Sequence, residues 1–224
     1  MPLEPCLFMG YAACMVRPPS NPPNPFQALQ QNAEGLFDQI QDRNASKMAC
    51  RSGCSACCHA HFSVFTGEAL LMEQWFFGLP ESDRQTLRTH WENKPRNPLA
   101  CAFLRENRCT IYPARPIICR TQGAPLRIQE KTGERIDACP LNFDGGKSLP
   151  RNPSDHFDLD RLTRLQSIAE KHVLKSIEIP VKIRKIRDEF DRVPLDALQT
   201  LFRTCGSMDD QKSDERQTSE IPND

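Results

Sequence analysis

Cys50-Arg51-Ser52-Gly53-Cys54-Ser55-Ala56-Cys57-Cys58 is the stretch on which the reading of this chain turns, because four sulfurs fall within nine residues. Thiolates two or three residues apart in a short turn can meet at one tetrahedral zinc or at the irons of a cluster. Outward from it follow Cys101, Cys109, Cys119 and Cys139, so eight of the eleven cysteines lie between Cys50 and Cys139. Cys6, Cys14 and Cys205 stand apart and are left out of the group. Such density implies soft-metal chemistry without saying what that chemistry serves.

The rival explanation of many cysteines is a disulfide framework, which belongs to small secreted chains behind a signal peptide. The first sixteen residues carry Glu4 and no Lys or Arg, so the basic start of an export signal is missing. No run reaches the roughly 18 apolar residues of a membrane helix. The expectation is therefore a cytoplasmic protein with no membrane association, in a reducing compartment where clustered cysteines serve as ligands. The formal net charge is zero, which disfavours a nucleic-acid binder. Residues 94–135 nonetheless hold nine basic and three acidic side chains, a local excess that would offset a site of net charge about −2 built from four thiolates.

Along the chain, Pro18 to Pro25 can form neither helix nor ladder, so residues 1–25 are expected to be a disordered Pro-rich tail. Phe26, Leu29, Ala33, Leu36, Phe37 and Ile40 have helical spacing, with Gly35 weakening that helix without ending it. Thr66 is the expected N-cap of a helix over about 67–77, stopped by Gly78 and Pro80, and Ser82 that of a second through Leu87 and Trp91. Residues 93–98 form a loop. The β-prone runs 101–104 and 108–112, separated by Glu106-Asn107, predict a hairpin with a cysteine near each end. Beyond Pro153, Leu159, Leu162, Leu165, Ile168 and Val173 make a stripe on a helix begun near Asp155 or Asp158, broken by Pro180. Two shorter helices follow, around Ile183, Ile186 and Phe190, and from Pro194 through Phe202. Residues 204–224, with six acids and two bases, are expected to be a disordered acidic tail.

The predicted fold is thus mostly α with one short β-hairpin: a small cysteine-rich metal-binding domain over 26–150 and a helical C-terminal extension over 151–203 packing on it. Cys54-Ser-Ala-Cys57-Cys58 after Cys50, and above all Cys109-Thr-Ile-Tyr112-Pro-Ala-Arg115-Pro116-Ile-Ile-Cys119-Arg120, resemble the YkgJ-type cysteine-cluster family, a zinc- or iron-chelating domain. The resemblance covers about residues 26–142 and implies a metal-binding role.

All eight clustered cysteines, Cys50, Cys54, Cys57, Cys58, Cys101, Cys109, Cys119 and Cys139, are candidate ligands. Cys57 and Cys58 are adjacent and cannot easily face one ion together. Eight sulfurs allow two four-cysteine sites or one [4Fe-4S] cluster with spare thiols, and the first choice for a single site is Cys54, Cys57, Cys109 and Cys119. Pro113 and Pro116 restrict the second block. Arg115 and Arg120 are expected either to donate to sulfur or to pair with a carboxylate, and Tyr112 to pack over the site. His59 and His61 are weaker ligand candidates, with a structural hydrogen-bonded role the commoner outcome.

Zinc sites usually show paired C-x2-C knuckles, absent from the second half of the cluster, so an iron–sulfur cluster is favoured over zinc. Whether the protein is an enzyme stays open. The spacing Cys50-x3-Cys54-x2-Cys57 also matches radical S-adenosylmethionine enzymes, against which count Ala56 in place of an aromatic and the lack of a repeated βα pattern. A flagellin-methylase-like enzyme and a non-catalytic zinc module binding protein or nucleic acid are the remaining alternatives. Any partner, protein or small molecule, is unidentified.

Overall fold

A computed structural model describes residues 24–92 and 97–204. The expectations for both tails and for most of the 93–98 loop fall on residues outside these. Two tail boundaries move: Asn24 and Pro25 already belong to the first helix, and Thr204 still belongs to the last.

Helix α1 (Pro25–Arg43) begins where Asn24 caps it, its carboxamide oxygen accepting from the Phe26 N–H at 3.0 Å, with Pro25 in the first turn. The same Asn24 donates to the Gly67 carbonyl at 2.7 Å, which ties α1 to α2 (Thr66–Gly78). Gly67 is needed there, because a Cβ would run into the Phe26 ring. The short strand β1 (Ser63–Val64) precedes α2.

Helix α2 is not capped by Thr66. Thr66 is its first helical residue, and the free N–H groups of Thr66 and Gly67 are met by the Glu170 carboxylate at 2.9 and 3.1 Å. The orphan donors of a helix start accept any well-placed oxygen, and a carboxylate from another helix supplies it. Helix α3 (Glu81–Glu92) likewise begins one residue before Ser82.

The expected hairpin forms, but over β2 (Leu104–Arg105) and β3 (Arg108–Cys109), with Leu104 opposite Cys109. Glu106 and Asn107 both have positive φ, as a two-residue loop matched to strand twist requires. After α4 (Ile117–Thr121) comes a second hairpin absent from the sequence reading, β4 (Leu126–Glu130) and β5 (Gly133–Asp137). Its strands are largely exposed and held by cross-strand ion pairs, Arg135–Glu130 at 2.7 Å and Arg127–Glu134 at 3.5 Å. They therefore offer little apolar alternation to read.

The short segment α5 (Phe143–Gly146) carries left-handed φ at Asp144 and Gly145. Strand β6 (Phe157–Asp158) then adds to β4 in parallel. Asp158 caps α6 (Leu159–Ser176), which is followed by α7 (Val181–Phe190), β7 (Val193–Pro194) pairing with β1, and α8 (Leu195–Thr204). The protein is mostly α, as expected. The described residues show no repeated βα unit, and none of their helices is long and apolar enough to cross a membrane.

The main core gathers Phe26, Leu70, Met72 and Phe76 with Val173, Ile183, Leu198 and Phe202, so residues on both sides of position 150 share one buried cluster. Phe76 stacks on Phe202 with centroids 4.7 Å apart, and Trp91 meets Phe103 edge-on at 5.3 Å. The Trp91 indole donates to Thr110 Oγ1 at 2.8 Å, joining this aromatic cluster to the residue after Cys109.

Candidate metal centre

The cysteines are brought together by loops pinned to this core. Gly53, at φ 86°, turns the chain between Cys50 and Cys54, and a 3-10 turn over Ala56–Cys58 presents the adjacent pair. The Cys58 carbonyl accepts from the Cys101 N–H at 2.7 Å, and Ser55 Oγ meets Asn107 Oδ1 at 3.1 Å. The first motif is thereby stitched to the hairpin carrying Cys109.

Cys119 sits on α4, whose start is held by the buried Glu68 carboxylate accepting from the Ile117 N–H at 2.7 Å. Cys139 follows β5. All eight described cysteines are free thiols, Cys57 exposed and the others half-buried.

Electrostatically the sulfurs fall into two neighbourhoods. Cys57, Cys58, Cys101, Cys109 and Cys119 feel one another's charge, while Cys50 feels Cys139 and Cys54 most among the cysteines and Cys57 last. Cys101 is thereby placed beside the first motif, which adds it to the site first drawn as Cys54, Cys57, Cys109 and Cys119. Chain order could not show this, because Cys101 reaches the first motif through a backbone bond made in the folded state.

The adjacent pair shares a hydrogen bond that lowers Cys57 to about 6 and pushes the Cys58 thiol up. One thiolate and one thiol is thus the favoured state of that pair. Burial raises Cys50, Cys101, Cys109 and Cys119, with Cys109 pushed up to about 11. Among the described residues, no three Cys, His, Asp or Glu side chains already stand at metal-ligand separations. The donor set nonetheless fits a soft cation: neighbouring half-buried thiols penalise each other's ionisation, and a bound cation reverses that penalty. Closing on an ion would require these side chains to turn inward.

Of the two roles weighed for the arginines, the carboxylate pairing is the one found. Arg120 is 8% exposed and donates to Glu34 at 2.6 Å and to the Arg115 and Pro113 carbonyls at 2.7 and 2.8 Å, clamping the ligand loop to α1. Arg115 stacks on the Tyr112 ring at 3.5 Å and lies 3.6 Å from Glu34, while its charge helps to lower Cys57. Tyr112 is exposed, with the Arg115 guanidinium over its ring. His59 pairs with Asn97 at 3.1 Å, and His61 donates through Nε2 to the Pro98 carbonyl at 3.0 Å. Each histidine thus has a hydrogen-bond partner within the protein.

The residues missed by sequence reasoning are Glu68, Glu34 and Asn142, which hold the cysteine loops. Nothing in their local sequence marks them, since each acts on a segment 49 or more positions away.

Residues 49–140 match the family model CxxCxxCC, described as a putative zinc- or iron-chelating domain. The matched span runs from just before Cys50 to just after Cys139 and so contains all eight clustered cysteines, which supports metal binding. No curated protein and no solved structure matches the chain.

Proposed function

We propose, from the premise that residues 49–140 are a domain of the CxxCxxCC family, that this chain holds a metal group through its central cysteines, an iron–sulfur cluster before zinc. The ligands of one site are Cys57, Cys101, Cys109 and Cys119. One observation carries this reading: hydrogen bonds tie the Cys57–Cys58 turn to Cys101 and to the hairpin of Cys109, so free thiols from separate segments are brought together.

Single cysteines arriving from separate loops suit a cluster, whereas a zinc site usually draws two knuckles of paired cysteines. When bound, such a cluster supplies one-electron transfer. The chain's own residues bury the thiols, set Arg115 charge beside Cys57 and restrict the ligand loop at Pro113 and Pro116. Free thiols fit a reducing compartment, and the cytoplasm is the proposed location.

Anaerobic purification with elemental analysis and a visible spectrum tests the assignment. The expected protein is brown and contains iron and sulfide, and Cys57→Ser or Cys119→Ser strips the metal and lowers stability. Colourless protein holding zinc would replace the cluster by zinc. Unchanged metal content in both variants would refute the ligand set. The spacing of Cys50, Cys54 and Cys57 favours a second reading, an S-adenosylmethionine-dependent enzyme, and release of 5′-deoxyadenosine by reduced protein is its test.

A further inference from the structure

Asn142 is fully buried at 0% exposure, yet its side chain has no idle polar atom. Its Oδ1 accepts from the Ala49 N–H at 2.8 Å. Its Nδ2 donates to the Gly123 carbonyl at 2.7 Å and to Cys50 Sγ at 3.3 Å. Its backbone N–H bonds the Cys139 carbonyl at 2.9 Å. One residue thus joins the segment before Cys50, the exit of α4 after Cys119, and the segment of Cys139.

Gly123 completes the arrangement. It has φ 100°, and a Cβ there would lie 2.5 Å from Cys50 Sγ and 3.4 Å from Asn142 Nδ2. The sulfur fills room that only glycine leaves. A buried carboxamide facing only carbonyls and N–H groups would serve to knit loops. Here one of its two N–H bonds goes to sulfur instead, and such bonds orient ligating thiolates.

We propose that Asn142 and Gly123 form a seat for the Cys50 sulfur, a positioning pair that aims Cys50 as the ligand of a second metal position shared with Cys54 and Cys139, beside the site of Cys57, Cys101, Cys109 and Cys119. The proposal rests on the metal-binding reading and assigns it a residue and two supports. A carboxamide that only holds loops together would lower stability with or without Cys50. A seat acts through Cys50 alone.

The test is a cycle on the full chain, stripped of metal and titrated with Co2+, read by thiolate-to-cobalt absorption. Asn142→Asp keeps the shape and the acceptor for Ala49 but turns an oxygen toward sulfur and toward the Gly123 carbonyl, so Co2+ affinity and not stability is the readout. It is expected to weaken Co2+ binding about 10–100-fold, the usual cost of losing a residue that orients a ligand. Cys50→Ala should do the same, and Asn142→Asp should add nothing in the Cys50→Ala background. If Asn142→Asp fails to fold, Gly123→Ala takes its place, weakening Co2+ binding in the native background and adding nothing beside Cys50→Ala. Wild-type affinity in both seat variants, or a further loss on top of Cys50→Ala, overturns the seat while metal binding stands. Wild-type protein that gives neither thiolate-to-cobalt absorption nor, with iron and sulfide, a cluster absorption overturns metal binding and the seat together.

Discussion

Glu68 shows what a single residue contributes to this site. It is 1% exposed on α2, and its carboxylate accepts from Ile117 at the start of α4 and from Phe65 at the start of α2. Removal from water raises its pKa from 4.5 to about 7, against the lowering effect of those two N–H bonds, with Glu170 raising and Arg192 lowering it further. The folded protein therefore holds this proton more tightly than the unfolded chain. Stability from Glu68 is full below pH 4.5 and is lost as the pH climbs to about 7, a change of up to about 3 kcal/mol. Urea unfolding of the metal-stripped protein should show that fall in the wild type, with a flatter profile in Glu68→Gln. Equal slopes would mean that Glu68 ionises normally in its buried position. A sequence shows a glutamate in an apolar helix, and only burial shows that it is a cap for a ligand loop.

Among the elements, local rules located the six longer helices, left out the short α4 and α5, and misassigned two caps, Thr66 and Ser82. Thr66 is the right residue type at the right place, yet its hydroxyl is buried without a partner, and Glu170 from α6 meets the N–H groups instead. Thr66→Val should therefore leave stability unchanged or raise it, where loss of a true N-cap would cost about 1 kcal/mol. Glu170→Ala should lower stability by about 1–3 kcal/mol, because two donors lose their acceptor. Thermal unfolding of the two variants checks both, and a Thr66→Val protein melting well below wild type would restore the hydroxyl as the cap. The β2–β3 hairpin was legible because Glu106-Asn107 is a turn signal between β-prone runs. The β4–β5 hairpin was not, since most of its side chains are exposed and charged and offer no apolar alternation.

For the whole molecule, the C-terminal helices are structural supports of the cysteine region. Gln199 donates to the Ala102 carbonyl, next to Cys101, and Arg88 on α3 donates to the Phe202 carbonyl at 3.1 Å. Phe202 itself closes the cluster of Phe76, Trp91 and Phe103. A chain ending at position 150 would leave Phe26, Phe76 and Phe103 without Val173, Ile183 and Phe202. Loss of Phe202 alone should cost about 3–5 kcal/mol, so residues 24–150 alone should show no cooperative urea transition. A sharp transition from that fragment would make the cysteine region independent of the helices that follow.

Soft-donor chemistry, helical class and the approximate place of the six longer helices were legible from spacing alone, because each is written in neighbouring residues. Only the folded chain shows that Cys101 bonds the Cys58 carbonyl, that Arg120 pairs with Glu34, and that Asn142 and Gly123 cradle Cys50. These depend on contacts between segments dozens of residues apart, whose geometry exists only after one core has fixed where each loop stands.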